Sequence, residues 1–244
     1  MKDNKLINEM KLYLKGFDNE NIFELEKTKD KQFIALEKLR NRIKCKNNVN
    51  EFLYLIIQNS LVSYQLSGSG ESRWEEFAIK CEEYFAKENN NENRRKNILL
   101  NCKNNCRLNQ MKLKRIQKIN SKIQDFDELI KFENNQDKLL EILGKTMNQD
   151  TKSKTIVFAI KMYVYGIKII KNKNIEYSNN IGIPVDSRLE KIYYYLNGTK
   201  NVNKNQIYIF FIDLAKDLDI CPLGLDSILW IDYWHKFKDL IIKK

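Results

Sequence analysis

Apolar residues recur along this chain at intervals of three and four, the spacing that lines one face of an α-helix, and seldom alternate as they would in a strand. Leu108, Met111, Leu113, Ile116, Ile119 and Ile123 form one such series. Read throughout, the pattern predicts helices over about 4–14, 19–27, 31–44, 49–65, 72–87, 95–123 with a break near Asn104-Asn105, 136–143, 152–171, 187–196, 203–219 and 225–241. The most strand-like stretch, Ile207 to Ile212, is flanked by Asn205-Gln206 and by Asp213 to Lys216, which continue a helical face. The expected fold is all-α.

Punctuation is sparse and agrees. Only 8 glycines and 2 prolines occur in 244 residues, which disfavours a sandwich, a barrel or a long flexible linker. Ser67-Gly68-Ser69-Gly70 is read as ending one helix with Ser72 capping the next, and the Asn-rich stretch from Glu88 to Asn93 as a connector. Pro184 biases Ile183 away from α, so a helix is expected to begin at Ser187 with Asp186 as its N-cap. Asp226 is a second candidate cap, and no internal repeat is visible. The length allows one substantial core or two small subdomains.

Composition then removes several classes. No run approaches the roughly 20 apolar residues of a membrane span, and the charged N-terminus lacks a secretory apolar segment. An intracellular protein away from membranes is expected. Five cysteines, Cys45, Cys81, Cys102, Cys106 and Cys221, show no disulfide-framework spacing, as suits a reducing compartment. Cys102 and Cys106 could share a helical face, yet no second pair follows at zinc-site spacing, so no metal is expected.

Net charge is +11, and it is concentrated. Arg94, Arg95, Lys96, Lys103, Arg107, Lys112, Lys114, Arg115, Lys118 and Lys122 fall in one stretch without Asp or Glu, leaving the rest of the chain nearly neutral. Interleaved with the apolar series above, they predict an amphipathic helix with a cationic outer face. Nucleic acid is the favoured partner, because the stretch lacks the large aromatics of a membrane-surface helix.

With one histidine, His235, the chain has few routes to catalysis. Lys154 opens the run to Lys161 near a predicted helix start, and Asp186 closes Ile183-Pro-Val-Asp. An amine and a carboxylate so placed are the parts of a Schiff-base enzyme. On their own they could equally be a solvated flank lysine and a cap.

Four blocks, Leu25 to Phe33, Leu61 to Trp74, Lys154 to Lys161 and Pro222 to Trp230, with Ile183-Pro-Val-Asp186 between the last two, resemble the archaeal GO glycosylases. These are 8-oxoguanine DNA glycosylase/lyases of the helix-hairpin-helix superfamily. Some DNA glycosylases carry an iron–sulfur cluster on four cysteines near the C-terminus; here only Cys221 lies in that region. The resemblance implies two helical subdomains flanking an active-site cleft, with the helix-hairpin-helix region at about 140–204.

The same resemblance makes Lys154 the Schiff-base nucleophile and Asp186 the assisting carboxylate, with Lys161 in possible support. A lysine amine displaces a base from C1′ only when neutral, and the positive end of a helix dipole favours that form. The base pocket falls on Gln32, Ser63, Trp74, Phe158, Pro184, Asp186, Asp226 and Trp230. Of these, Trp74, Phe158 and Trp230 could be ordinary core aromatics, whereas Gln32 is the least expected in a core. Arg94, Arg95, Lys96, Lys112, Lys114, Arg115 and Lys118 are expected on the DNA backbone.

The implied enzyme is a monomer on double-stranded DNA containing 8-oxoguanine, without cofactor or membrane, in the cytoplasm of a prokaryote and associated with its nucleoid. Two departures stand out. Leu143 to Asp150 carries one glycine where the superfamily has a short glycine-rich hairpin, and Gly224 stands where members often have histidine. Competing readings are a glycosylase for oxidised pyrimidines and a non-catalytic all-α DNA-binding module.

Overall fold

A computed structural model describes residues 4–43, 49–86, 92–122, 126–199 and 202–243. Among them there is no strand. In chain order the helices are α1 (Asn4–Leu14), α2 (Asn19–Lys29), α3 (Lys31–Arg42), α4 (Val49–Val62), α5 (Gly70–Phe85), α6 (Glu92–Leu100) and α7 (Asn109–Asn120). There follow α8 (Gln136–Met147), α9 (Lys154–Lys171), α10 (Ser187–Asn197), α11 (Lys204–Asp217), α12 (Pro222–Ile228) and α13 (Trp234–Lys243). The chain divides into two compact units: Lys31–Ile175 is one, and Met1–Asp30 with Glu176–Lys244 is the other.

The continuous unit is built on α4, buried at every position from Phe52 to Val62. A helix apolar on all sides belongs at the centre of a bundle. It packs chiefly against α9, whose residues Ile156 to Lys168 are buried except Phe158. Gly166 allows that approach: a Cβ there would lie 2.7 Å from Leu53 Cδ2 and 2.9 Å from Ile56 Cδ1. In the discontinuous unit Met10, Leu14, Ile22 and Leu25 join Ile183, Leu189, Ile192, Phe211, Leu225 and Ile228 in one core. Residues far apart in sequence thus bury a single apolar surface.

Local chemistry sets most boundaries. The Asp18 side chain accepts from the Asn21 amide at 2.7 Å to start α2, and Asn203 with Gln206 forms a capping box on α11. Gly198, at φ 67°, ends α10 in the left-handed conformation that favours glycine.

Several boundaries are redrawn. Helix α4 ends at Val62, where the Ser63 amide turns back to Ser60 and Gln65 takes φ 48°. The next helix starts at Gly70 with Ser69 as its cap; Ser72 is the donor, its amide reaching Ser69 Oγ at 3.1 Å. The break expected near Asn104-Asn105 is a 3-10 turn at Lys103–Asn105, and Cys102 and Cys106 flank it and share no helical face. The helix expected over 225–241 is helical throughout, with Leu229–Tyr233 wound as a π-turn between α12 and α13. A 3-10 segment, Phe126–Asn134, escaped the periodicity. Cys45, Ile123 and the part of the connector from Glu88 to Asn91 lie outside the described residues, while Glu92 and Asn93 open α6.

Candidate active site

The candidate residues fall in both units, and each half has its own local logic. In the continuous unit Lys154 is the first residue of α9, exposed, and has no acidic partner among the described residues. It emerges from a tight hairpin. Helix α8 ends as Asn148 turns left-handed at φ 52°, and the Gln149 amide returns to the Gly144 carbonyl at 2.9 Å. A Cβ on Gly144 would stand 3.1 Å from the Gln149 carbonyl oxygen, so the glycine serves the close return. Asparagine takes the positive φ, which is how this hairpin manages with one glycine. The Lys152 amide then bonds Asp150 Oδ1 at 2.7 Å, setting the entry to α9.

The same unit holds five more of the candidate residues. Phe158, one turn along α9, is half-buried, and its ring meets Trp74 edge-on at 6.3 Å between centroids. Trp74 itself is 1% exposed and also packs edge-on against Phe77. Gln32 lies in the first turn of α3, 4% exposed, with Nε2 only 3.1 Å from where a Cβ on Gly70 would be. Ser63 donates from Oγ to the Asn59 carbonyl at 2.7 Å. Lys161 is buried, its Nζ 5.8 Å from the centre of the Tyr165 ring.

In the discontinuous unit Pro184 is buried, and Asp186 caps α10 as its position foretold. Asp186 Oδ1 accepts from the Arg188 amide at 2.9 Å and from the Leu189 amide at 3.0 Å. Both bonds use one oxygen. Among the described residues Oδ2 accepts none, so capping and chemistry are compatible in one side chain.

Asp226 is no cap: it lies inside α12, buried, and Cys221 Sγ takes the capping place by accepting from the Gly224 amide at 3.3 Å. Trp230 rides on the π-turn, half-buried, under Arg188, whose guanidinium carbon is 3.2 Å from the ring centre. A Cβ on Gly224 would come within 2.8 Å of Cys221 Sγ and 3.2 Å of Ile22 Cδ1, so any side chain there would require the Cys221 and Ile22 side chains to shift.

The expected cationic face is also redrawn. Lys112 is fully buried, with Nζ 2.6 Å from Asn105 Oδ1 and 5.2 Å from the Tyr64 ring centre. Burial, and secondarily Arg73, lowers its pKa to about 8. Helix α7 therefore turns Lys112, Ile116 and Ile119 inward and leaves Leu108 and Met111 exposed. Lys96 pairs with Glu92 at 2.8 Å, Arg95 lies 3.9 Å from Glu51, and Arg94 donates to the Glu83 carbonyl at 3.4 Å. Arg115 is half-buried and bonded inside the unit. Lys114 and Lys118 remain exposed one turn apart, with Lys103, Arg107 and Lys122 also outward.

Two groups were missed in the sequence. Glu26, fully buried, accepts from Tyr177 Oη at 2.7 Å and from Ser227 Oγ at 2.6 Å, fastening the helix of Asp226 to α2. The signal was an acid at core-facing spacing after Ile22. Arg188, the cation over Trp230, left no sequence signal.

Comparison with known proteins agrees with this architecture. The family model described as AGOG, N-glycosylase/DNA lyase, matches residues 11–241. A protein named N-glycosylase/DNA lyase from Methanococcus maripaludis is 39% identical over 94% of this chain and 88% of its own. One of the same name from Methanopyrus kandleri is 31% identical over 85% of this chain and 81% of its own. A crystal structure of an 8-oxoguanine DNA glycosylase from Pyrobaculum aerophilum, complexed with 8-oxoguanosine, has a similar all-α fold. It aligns with TM-score 0.77 at 20% identity, over 93% of this chain and 87% of that one. Among the described residues no helix is long and apolar enough to cross a membrane.

Proposed function

This chain belongs to the AGOG family of N-glycosylase/DNA lyases, and from that premise we propose that it removes 8-oxoguanine from double-stranded DNA and then cuts the abasic strand. The observation that carries the reading is Lys154, an exposed amine at the first position of α9 within the family match. The Pyrobaculum structure, solved with 8-oxoguanosine, supports the choice of base.

In this reading the neutral Lys154 amine attacks C1′ of the damaged nucleotide. The glycosidic bond breaks, its electron pair leaving with the base, which takes up a proton. Asp186, through the oxygen its cap does not use, stabilises the positive charge that builds on the sugar. Ring opening gives an imine to Lys154, loss of a C2′ proton expels the 3′ phosphate, and hydrolysis frees the enzyme. The target nucleotide leaves the stack at a cost of a few kcal/mol, and Gln32, Ser63, Trp74, Phe158, Pro184, Asp226 and Trp230 offer the amide, hydroxyl, acid, aromatic and apolar groups that offset it. Lys161 supports the nucleophile's helix. The protein acts as a monomer with the nucleoid in a prokaryotic cytoplasm.

The test is strand nicking on duplexes carrying 8-oxoguanine or thymine glycol, with borohydride present in parallel. Excision of 8-oxoguanine and an adduct lost in Lys154→Gln are expected. Preference for thymine glycol, or an undiminished adduct in Lys154→Gln, would overturn the substrate or the nucleophile respectively.

A further inference from the structure

Arg115 gathers three parts of the continuous unit into one polar network. Its Nη1 donates to the Leu61 carbonyl at 2.8 Å and reaches Thr155 Oγ1 at 3.5 Å, while Nη2 donates to Gln149 Oε1 at 3.0 Å. Thr155 closes the ring by donating from Oγ1 to the same Gln149 oxygen at 3.1 Å. The guanidinium carbon also stands 4.6 Å from the centre of the Tyr64 ring. Every partner borders the proposed site. Thr155 follows Lys154, Gln149 lies in the hairpin ahead of it, and Leu61 and Tyr64 bracket Ser63.

A phosphate-gripping arginine keeps its fork toward solvent, whereas this one has spent both terminal nitrogens on protein oxygens. Burial holds its pKa below the ordinary arginine value, as suits an inward side chain. We propose that Arg115, taking Lys154 as the nucleophile, is a positioning residue that holds the first turn of α9 and the Ser63 segment in one frame, and is not a DNA-backbone contact. Only a planar fork can reach these acceptors together, so lysine is a poor replacement. The consequence is catalytic because a nucleophile displaced by about 1 Å can lose about a hundredfold in rate.

The experiment uses the full chain and a duplex with a pre-formed abasic site, measuring borohydride trapping under single turnover at saturating DNA, beside affinity and its salt dependence. Lys154→Gln comes first. If it traps normally, the nucleophile is misassigned whatever Arg115 does. With that control passed, Arg115→Met, Arg115→Lys and Gln149→Leu should each slow trapping about ten- to a hundredfold, with affinity and salt slope unchanged. Joined in one chain, Arg115→Met and Gln149→Leu should cost little more than either alone, since both open the same network. The proposal is overturned if Arg115→Lys restores the rate, if losses multiply in the double variant, or if Arg115→Met flattens the salt slope by about 0.9 while the saturated rate holds. Should Arg115→Met fail to fold, Gln149→Leu decides alone: a wild-type rate sinks the idea.

Discussion

In the proposed mechanism Asp186 joins two roles on different oxygens, and that makes them separable by substitution. Asparagine caps a helix as well as aspartate, because its carbonyl oxygen can accept the same two amides. Asp186→Asn should therefore melt with the wild type while excising 8-oxoguanine far more slowly under single turnover; a rate loss matched by a fall in melting temperature would leave only the cap. Asp186→Ala should lose the cap as well, about 1 kcal/mol, or roughly 2–4 °C for a chain of this size. Gln32 poses the parallel question. As a buried amide it should contribute ~1–3 kcal/mol to reading the base edge, so Gln32→Ala should slow 8-oxoguanine excision about ten- to a hundredfold and spare cleavage of a pre-formed abasic site. Equal losses on both substrates would assign Gln32 to the fold.

At the scale of the element, α7 shows why a run of cations is not a face. The helix has one inward stripe, and Lys112 occupies it with Ile116 and Ile119. Lys114 and Lys118, one turn apart on the exposed side, are the cations of α7 we propose to meet phosphate. Replacing both with Gln should flatten the plot of log affinity against log salt by about 0.9 for each contact removed. Lys112→Met should leave that slope where it was. If instead Lys112→Met flattens it and the double substitution does not, DNA lies on another surface.

At the scale of the whole molecule, buried titratable groups give stability a pH dependence of mixed sign. Lys112, lowered from an ordinary 10.5 to about 8, binds fewer protons folded than unfolded between those values. The unfolded chain holds the extra proton, so this group makes stability rise with pH across that window. Burial raises Cys81 and Cys102, and raises Tyr54, Tyr84, Tyr163 and Tyr177, so these keep their protons longer in the fold and make stability fall at alkaline pH. Only a difference isolates the lysine. The wild type should gain on Lys112→Met as pH climbs from about 8 toward 10.5, measured by denaturant unfolding. Parallel curves would mean that Lys112 stays charged in the fold.

The chain's own periodicity determined the all-α class and most helix positions, since amphipathic spacing and local caps are written in neighbouring residues. Asp186 as a cap and Lys154 at a helix start were legible for the same reason: each depends on a few adjacent positions. The resemblance supplied the pocket list. Tertiary structure alone decided which groups of one helix face inward, because burial depends on partners distant in sequence. It turned Lys112 and Arg115 away from solvent, placed Glu26 under Tyr177 and Ser227, and laid Arg188 on Trp230. No local spacing encodes those contacts, since each forms only when separate segments close on a shared core.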